Sequence, residues 1–299
     1  MLLDAPSMYF RAFFAIPVTV TGTDGVPVNA VRGFLDVLGR QIRDHRPDCL
    51  VACMDADWRP AWRVAALPSY KAHRVAPDGG DGSPAELGVQ VPLIEAVLDA
   101  VGIARCGAAG FEADDVIGTL TERHPGPVDV VSGDRDLFQL VRDDKPVRVL
   151  YGAQRWTPVD EASVTERYAI PGRCYGEFAV LRGDPSDGLP GVAGVGAKTA
   201  AALITKFGTV EAMLAALDRG EAGGFPAGAR VKLAEARPYL AAAVHVVRVA
   251  RDVPIPHLDD RLPTEPADPV ALVALSDRHR LDGPLNRLLA ALSQVSTTP

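Results

Sequence analysis

The chain has 299 residues, 47% of them apolar, and a formal net charge of −7. This length and apolar content predict two lobes in one compact body, while the lack of an 18-residue apolar run or a basic-then-apolar leader excludes a membrane span and predicts a cytoplasmic protein. The acidic excess argues against a nucleic-acid partner, but nine carboxylates lie in the motifs below. If metal ions neutralise them, 29 acidic residues remain against 31 basic ones, a balance of +2.

Short apolar runs alternate with helical patterns in the first half of the chain. Leu2-Leu3, the run from Cys49 to Met54 and the run from Val128 to Val131 are typical of strands, and apolar residues recur at helical spacing over 31–42 and 91–101. Strands alternating with helices predict an α/β fold with a doubly wound, mainly parallel sheet over residues 1–160. The four cysteines match no zinc spacing and are interpreted as small core residues.

From about Val159 the pattern becomes mostly helical, which predicts a second, helical lobe over residues 161–299. A glycine-rich run lies in this lobe and predicts a helix-hairpin-helix over about 183–208. Glycines free its turn from side chains, so that the amides can approach phosphate oxygens, and a lysine and a threonine open the next helix. The residues concerned are Gly191, Gly194, Gly196, Lys198 and Thr199. The alternative is an ordinary helix-loop-helix whose aspartates cap helices.

Aspartates follow the predicted strands. Asp4 follows Leu2-Leu3, Asp55 follows the second strand, and Asp134 and Asp136 follow the strand that ends near Val131. Because ligands bind at the carboxyl ends of the strands in an open α/β sheet, we expect these four side chains to converge.

Five further carboxylates complete the acidic set. Glu112 and Asp115 share a helical face at i, i+3 if a helix begins there, and Asp114 supports them; the alternative is a first-turn acid cluster favoured by the helix dipole. Asp184 and Asp187 precede the glycine run, where they would repel a phosphate unless a cation lay between. Hard oxygen ligands without histidine favour two or more Mg²⁺ or Mn²⁺ ions and phosphodiester chemistry.

Basic and aromatic residues follow the first two predicted strands. Lys71 and Arg74, with Arg63 before them, are suited to attract a scissile phosphate and stabilise its transition-state charge. Arg11 has a similar position after Asp4. Aromatic residues beside these cations could stack on a frayed terminal base; they are Tyr9, Phe10 and Tyr70. The alternatives are a charged surface helix for the arginines and core packing for the aromatics.

These residues together resemble the bacterial 5′ nuclease family, the flap endonucleases and 5′-3′ exonucleases that occur alone and as the N-terminal domain of DNA polymerase I. Five ordered blocks carry the resemblance: Leu2-Leu3-Asp4 with Arg11-Ala12-Phe13, Asp55 with Tyr70 to Arg74, Gly110 to Asp115, Ser132 to Leu137, and Gly183-Asp184 with Gly196 to Ala200. The chain departs from the family's pattern at Ala5, where glycine is common, and at Gly188, where asparagine often follows the last aspartate.

The resemblance implies a PIN-like nuclease core, a helical arch that admits a free 5′ end, and a hairpin that grips duplex DNA, often with a bound K⁺ ion. It also implies roles by position. The first metal would be held by Asp114, Asp134 and Asp136 with Asp4, Asp55 and Glu112, and the second by Asp115, Asp184 and Asp187. Lys71 and Arg74 would form the arch base, and Arg11 and Arg63 would touch phosphates near the cut.

The sequence therefore predicts a monomeric, metal-dependent nuclease that acts on DNA with 5′ flaps, nicks or free 5′ ends, including ends that carry an RNA primer strand. Three alternatives stay open. A PIN-type ribonuclease would share the acidic core, a junction-binding module would keep the second lobe without cutting, and the chain could be one domain of a longer polymerase.

Overall fold

Six strands form a single sheet in the computed structural model, which describes residues 1–77, 79–221 and 223–296. The strands are β1 (Leu2–Asp4), β2 (Val51–Cys53), β3 (Ala104–Cys106), β4 (Val128–Ser132), β5 (Val147–Tyr151) and β6 (Thr157–Val159). Their order is β3-β2-β1-β4-β5-β6, with parallel pairing throughout except for the antiparallel edge strand β6. The predicted doubly wound, mainly parallel sheet is confirmed.

Helices account for most of the remaining described residues. In the first half they are α1 (Ala5–Ala15), α2 (Asn29–His45), α3 (Ala61–Ala66), α4 (Ala85–Gly88), α5 (Val91–Val101) and α6 (Ala113–Arg123). In the second half they are α7 (Glu161–Tyr168), α8 (Tyr175–Arg182), α9 (Ala197–Phe207), α10 (Val210–Asp218), α11 (Ala229–Glu235), α12 (Arg237–Val247), α13 (Pro269–His279) and α14 (Asp282–Ser296). No single described helix is long and apolar enough to cross a membrane. Counted together, α9 and α10 reach the length and composition of a membrane span, but the two helices meet at a 75° bend.

Each face of the sheet has its own core because successive strand residues point to opposite sides. Leu2 packs in the core that contains α6 and the helices α8, α9 and α12. Leu3 packs in the other core, with α2, α5, α13 and α14. Three of the four cysteines are buried and all four are free, as expected of core residues.

The last two helices lie apart from the rest of the second half. Leu272 of α13 and Leu285 and Leu288 of α14 are buried in the core formed with α2 and α5 of the first half. Gly39 of α2 permits the close approach, since a Cβ there would lie 3.3 Å from the Cα of Leu288. The division into residues 1–160 and 161–299 stays a prediction; its last residues, 297–299, lie outside the described part.

The segment between β2 and α5, which the resemblance assigns to an arch, contains short elements in its described part. These are α3, a 3₁₀ turn at Ala72–Arg74 and the four-residue helix α4. The base of this segment lies against the loop that carries Asp187: the amide of Lys71 donates to the Asp187 carbonyl at 3.0 Å. Gly188 makes the contact possible, because it adopts a left-handed φ of 72° and a Cβ there would overlap the Ser69 carbonyl oxygen.

Candidate metal centre and nucleic-acid interface

The carboxyl ends of β1, β2 and β4 bring the first group of aspartates to one edge of the sheet, as the topology predicted. Asp4 is the last residue of β1 and caps α1, since its Oδ1 accepts from the amide of Ser7 at 3.1 Å. Its Oδ2 accepts from the hydroxyl of Ser132 at 2.5 Å. That same hydroxyl accepts from the amide of Asp134 at 2.8 Å. Ser132, which the sequence did not single out, thus fixes two carboxylates relative to one another.

The N-terminus of α6 brings the second group to this edge. Asp55 accepts from the amide of Ala113 at 2.7 Å, which ties the end of β2 to the first turn of α6. Glu112 and Asp115 form a capping box, in which Asp115 Oδ2 accepts from the amide of Glu112 at 3.2 Å. Asp114 is half-buried, and loss of contact with water, followed by the negative charges of Asp4, Asp134 and Glu112, raises its pKa. The predicted helix start at this block is confirmed.

The second half of the chain contributes Asp184 and Asp187. Asp184 is 2% exposed and caps the 3₁₀ turn Pro185–Asp187 by accepting from the amide of Ser186 at 3.0 Å. Both carboxylates lie close enough to Asp136 to raise its pKa. The structure therefore brings the last pair of predicted ligands to the carboxylates of the sheet.

Loss of contact with water and mutual repulsion raise the pKa values of five carboxylates of this cluster, Asp4, Asp55, Asp114, Asp136 and Asp187. Loss of contact with water is the largest cause at these five: it raises the pKa of the buried Asp4 to about 7, with contributions from Asp134 and Asp55, and the pKa of Asp55 to about 6, with a contribution from Glu112. The pKa values of Asp114 and Asp136 lie well above their ordinary range for the same reasons. A site that disfavours its own negative charge in this way is one that a cation stabilises.

The donor set fits divalent metal ions such as Mg²⁺ or Mn²⁺. All the clustered ligands are carboxylates, and Asp136 Oδ1 is buried with no hydrogen-bond partner among the described residues. Within residues 1–77, 79–221 and 223–296 no three ligands form a ready-made cage. Basic side chains pair with four of the nine carboxylates, Glu112, Asp115, Asp184 and Asp187.

Arg63 and Asp115 form a buried ion pair, which corrects two predictions. Arg63 is 2% exposed, and its guanidinium binds both oxygens of Asp115 at 2.7 and 2.8 Å and Glu112 Oε2 at 2.5 Å. Asp115 also accepts from the amides of Glu112 and Ala250, so its lone pairs are used inside the protein. Arg63 is therefore not placed to touch a phosphate, and Asp115 is not placed to bind a metal. Sequence spacing could not reveal this pairing because α3 and α6 are far apart in the chain.

Tyr70 also differs from the prediction. It is 3% exposed and its hydroxyl donates to Glu112 Oε2 at 2.6 Å, so it cannot stack on a base in this structure. Phe10 and Arg11, by contrast, lie exposed on α1, one to two turns beyond Asp4. The ring of Phe10 packs against Phe14, which is 65% exposed, with 5.0 Å between ring centroids. These α1 side chains are available to a ligand.

Lys71 and Arg74 reach the carboxylates from the arch base. The ammonium of Lys71 pairs with Glu112, and although burial opposes its charge, Glu112 and Asp187 raise its pKa. Arg74 donates to the Ser186 carbonyl at 2.5 Å and lies 3.3 Å from Asp187 Oδ1. Arg74 thus pairs with an aspartate predicted for the second metal, whereas Lys71 pairs with a glutamate predicted for the first.

Two arginines that the sequence reasoning missed lie beside Asp184. Arg182 is 3.5 Å and Arg135 is 4.0 Å from its Oδ2. Arg135 lies between Asp134 and Asp136 in the sequence, and this position next to two predicted metal ligands could have identified it as part of the site.

The helix-hairpin-helix is formed by α8, the turn and α9, so its first helix lies upstream of the predicted span of about 183–208. Gly191 and Gly194 adopt left-handed φ values of 72° and 70°, and Gly196 precedes the first turn of α9. Gly194, Gly196 and Lys198 are exposed, and Thr199 is half-buried. The amide of Gly191 is used internally, since it donates to the Tyr239 hydroxyl at 3.1 Å, so Gly191 shapes the turn and does not offer its N–H to a phosphate.

Both halves of the chain match models of one protein family, and full-length relatives match 98% of the chain. A family model described as "5'-3' exonuclease, N-terminal resolvase-like domain" matches residues 1–169, and one described as "5'-3' exonuclease, C-terminal SAM fold" matches residues 170–269. A 5'-3' exonuclease of Streptomyces coelicolor is 57% identical over 98% of this chain and 100% of its own length. One from Mycobacterium tuberculosis is 49% identical over 98% and 97%. DNA polymerase I of Mycobacterium bovis is 39% identical over 90% of this chain but 29% of its own length.

Solved structures share the fold. The T5 D15 protein co-crystallised with metal ions superposes with a TM-score of 0.61 and 17% identity, covering 99% of this chain and 97% of that one. The T5 D15 flap endonuclease in a pseudo-enzyme-product complex with DNA and metal ions gives a TM-score of 0.63 and 16% identity, covering 100% and 99%.

Proposed function

Because the chain belongs to the 5′-3′ exonuclease family, we propose that it cuts DNA at 5′ flaps and free 5′ ends with divalent metal ions. The carboxylate cluster carries the proposal; Asp4 and Asp136 in it are buried, Asp114 is half-buried and Asp55 is exposed at its rim. Asp4, Asp55, Asp114 and Asp136 all have raised pKa values at the carboxyl edge of the sheet, and a cation is what stabilises such a group of like charges.

Two sub-clusters would hold the ions. Asp114, Asp134 and Asp136, with Asp4, Asp55 and Glu112 around them, would hold the first, and Asp184 and Asp187 the second. When bound, such ions lower the pKa of water and offset charge on the leaving oxygen of an in-line displacement. Ser132 holds Asp4 and Asp134 in fixed relative positions, and Asp55 is held by the α6 amide of Ala113.

The rest of the site would position DNA. The amides of Gly194 and Gly196, two exposed residues, with Lys198 at the start of α9, would bind backbone phosphates of the duplex. Phe10 would stack on a base near the cut, and Arg11 beside it would contact a phosphate. In this scheme the hairpin sets where the duplex lies and the carboxylates determine where it is cut.

The test is cleavage of a duplex that carries a 5′-labelled flap, with Mg²⁺ or with EDTA. We expect Mg²⁺-dependent release of the flap with a 5′-phosphate and a 3′-hydroxyl at the new ends. The Asp134→Ala variant controls for contaminating nucleases. Equal rates for the two proteins, or a preference for single-stranded RNA, would reject the assignment and favour a ribonuclease.

Lys71→Ala is expected to slow single-turnover flap cleavage about 100-fold, because the ammonium would no longer stabilise charge on the scissile phosphate. Metal binding measured by calorimetry should be retained or stronger, since Lys71 pairs with Glu112 and Arg63 remains to hold that carboxylate. Lys145→Ala is the matched control, because Lys145 binds the Thr121 and Glu122 carbonyls away from the cluster. An unaltered rate in Lys71→Ala would show that the proposed phosphate role is wrong.

A further inference from the structure

Lys232 lies directly over the glycine hairpin, although it comes from α11. Its ammonium donates to the carbonyl oxygen of Gly194 at 3.0 Å. The side chain lies flat against the glycine: a Cβ built on Gly194 would be 2.6 Å from Nζ and 3.3 Å from Cε. Gly194 adopts a left-handed φ of 70°, which favours glycine, and a Cβ there would displace the end of the lysine; the neighbouring Leu233 is fully buried and fixes α11 in place.

The charge of Lys232 is not neutralised by the protein. Throughout the described ranges, with their gaps at 78, 222 and 297–299, no carboxylate lies within 4.0 Å of its Nζ, whereas Lys71 is paired with Glu112. An ammonium has three donors, and the Gly194 carbonyl uses one. The remaining donors are available to an anion.

The hairpin offers amides next to this ammonium. Gly194 and Gly196 are exposed, and neither amide donates to an acceptor within the part of the chain that is described. An anion that approaches these amides therefore meets a fixed positive charge as well as backbone N–H groups. This combination is suited to a phosphate of a nucleic-acid backbone.

We infer that Lys232 is a DNA-binding residue of the hairpin, whose ammonium is fixed by the Gly194 carbonyl and binds the same backbone phosphate as the hairpin amides. The inference rests on the proposed function and adds one residue to the surface that is proposed to bind duplex DNA. It also bears on the K⁺ ion that the family resemblance implies. The Gly194 carbonyl already accepts from a cation, and two cations at one turn repel each other, so this hairpin does not fit a K⁺ requirement.

The experiment measures binding of a fluorescent 5′-flap duplex in EDTA by anisotropy, across a salt series, for wild type and Lys232→Met. Methionine keeps the apolar stem over Gly194 and removes the charge. We expect about 5- to 10-fold weaker binding and a salt slope reduced by about one, as for the loss of a single phosphate contact. Lys145→Met, whose ammonium likewise binds main-chain carbonyls but on the β4–β5 side of the sheet, should match wild type. Wild-type binding should differ less than twofold between K⁺ and Na⁺ at equal ionic strength.

The outcomes separate the inference from the proposed function. If wild type binds and cuts the flap but Lys232→Met has the same affinity and salt slope, the role of Lys232 is overturned and the nuclease function stands. An equal loss in Lys145→Met, or a wild-type preference for K⁺ above about fivefold, also overturns it. If wild type neither binds nor cuts flap DNA, the proposed function fails, and this inference fails with it.

Discussion

Asp136→Asn should lose at least about 1,000-fold in flap-cleavage rate and yet melt at a higher temperature than wild type when both are free of metal. Asp136 is buried, its Oδ1 has no partner among the described residues, and burial together with Asp134, Asp187 and Asp184 raises its pKa. A neutral amide of the same shape removes a charge that the metal-free fold disfavours. It also removes a ligand that the proposed chemistry requires.

The raised pKa of Asp136 determines how the stability of the metal-free protein changes with pH. Above its unfolded pKa of about 4 the wild-type folded state binds more protons than the unfolded state, so its stability falls as the pH rises through the folded pKa. The carboxylate of Asp4 adds to this fall up to about pH 7. The melting temperature of Asp136→Asn in EDTA should therefore exceed that of wild type by on the order of 5 °C at pH 8 and by much less near pH 4.

Two measurements check this expectation: thermal melting in EDTA at both pH values, and melting at pH 8 with added Mg²⁺. Mg²⁺ should raise the melting temperature of wild type more than that of the variant. Asp129→Asn is the matched control, since Asp129 lies near the start of β4, pairs with Arg148 and is partly exposed. A variant that melts below wild type at pH 8 would contradict the strained-carboxylate account.

Arg63→Met should cost about 3–5 kcal/mol in the free energy of unfolding, the range for removing one partner of a buried ion pair. The substitution leaves Glu112 and Asp115, which are 4% and 0% exposed, with a negative charge and no guanidinium between them. Urea denaturation of wild type, Arg63→Met, Asp115→Asn and the double variant Arg63→Met/Asp115→Asn measures the coupling. The double variant should recover part of the loss, because one buried charge has been removed.

Arg105→Met is the control for this experiment. Arg105 binds Asp99 with the same two-pronged geometry, but both side chains are well exposed, so the loss should stay below about 1 kcal/mol. If Arg63→Met kept normal stability and instead weakened DNA binding, the original phosphate role would be correct and the structural role wrong.

The positions of the sheet aspartates could be predicted because one topological rule determines them. In a parallel sheet the residues after successive strands share an edge, so Asp4, Asp55 and Asp134 converge whatever the loops between them do. The positive φ of Gly191 and Gly194 could also be expected from residue type. Both inferences depend on backbone properties that the local sequence controls.

The roles of the charged and aromatic side chains between residues 61 and 74 could not be predicted in the same way. Sequence shows that Arg63 is basic and Tyr70 aromatic, but not that both contact Glu112 in the protein interior. The role of Lys232 could not be predicted for the same reason, since its contact with Gly194 depends on how α11 packs. The helical pattern of residues 269–296 likewise does not reveal which core it joins, and α14 packs on α2.

The contact at Gly188 ties together two stretches of the chain that are distant in sequence. Any residue with a Cβ at 188 would have to adopt a left-handed backbone and push away the Ser69 carbonyl, and the adjoining Lys71 amide is bonded to Asp187. An arch base taken from a relative with asparagine at this place would therefore meet a loop of a different shape. We therefore expect the two segments that meet at this contact to be exchangeable with those of a homologue only when both are exchanged together.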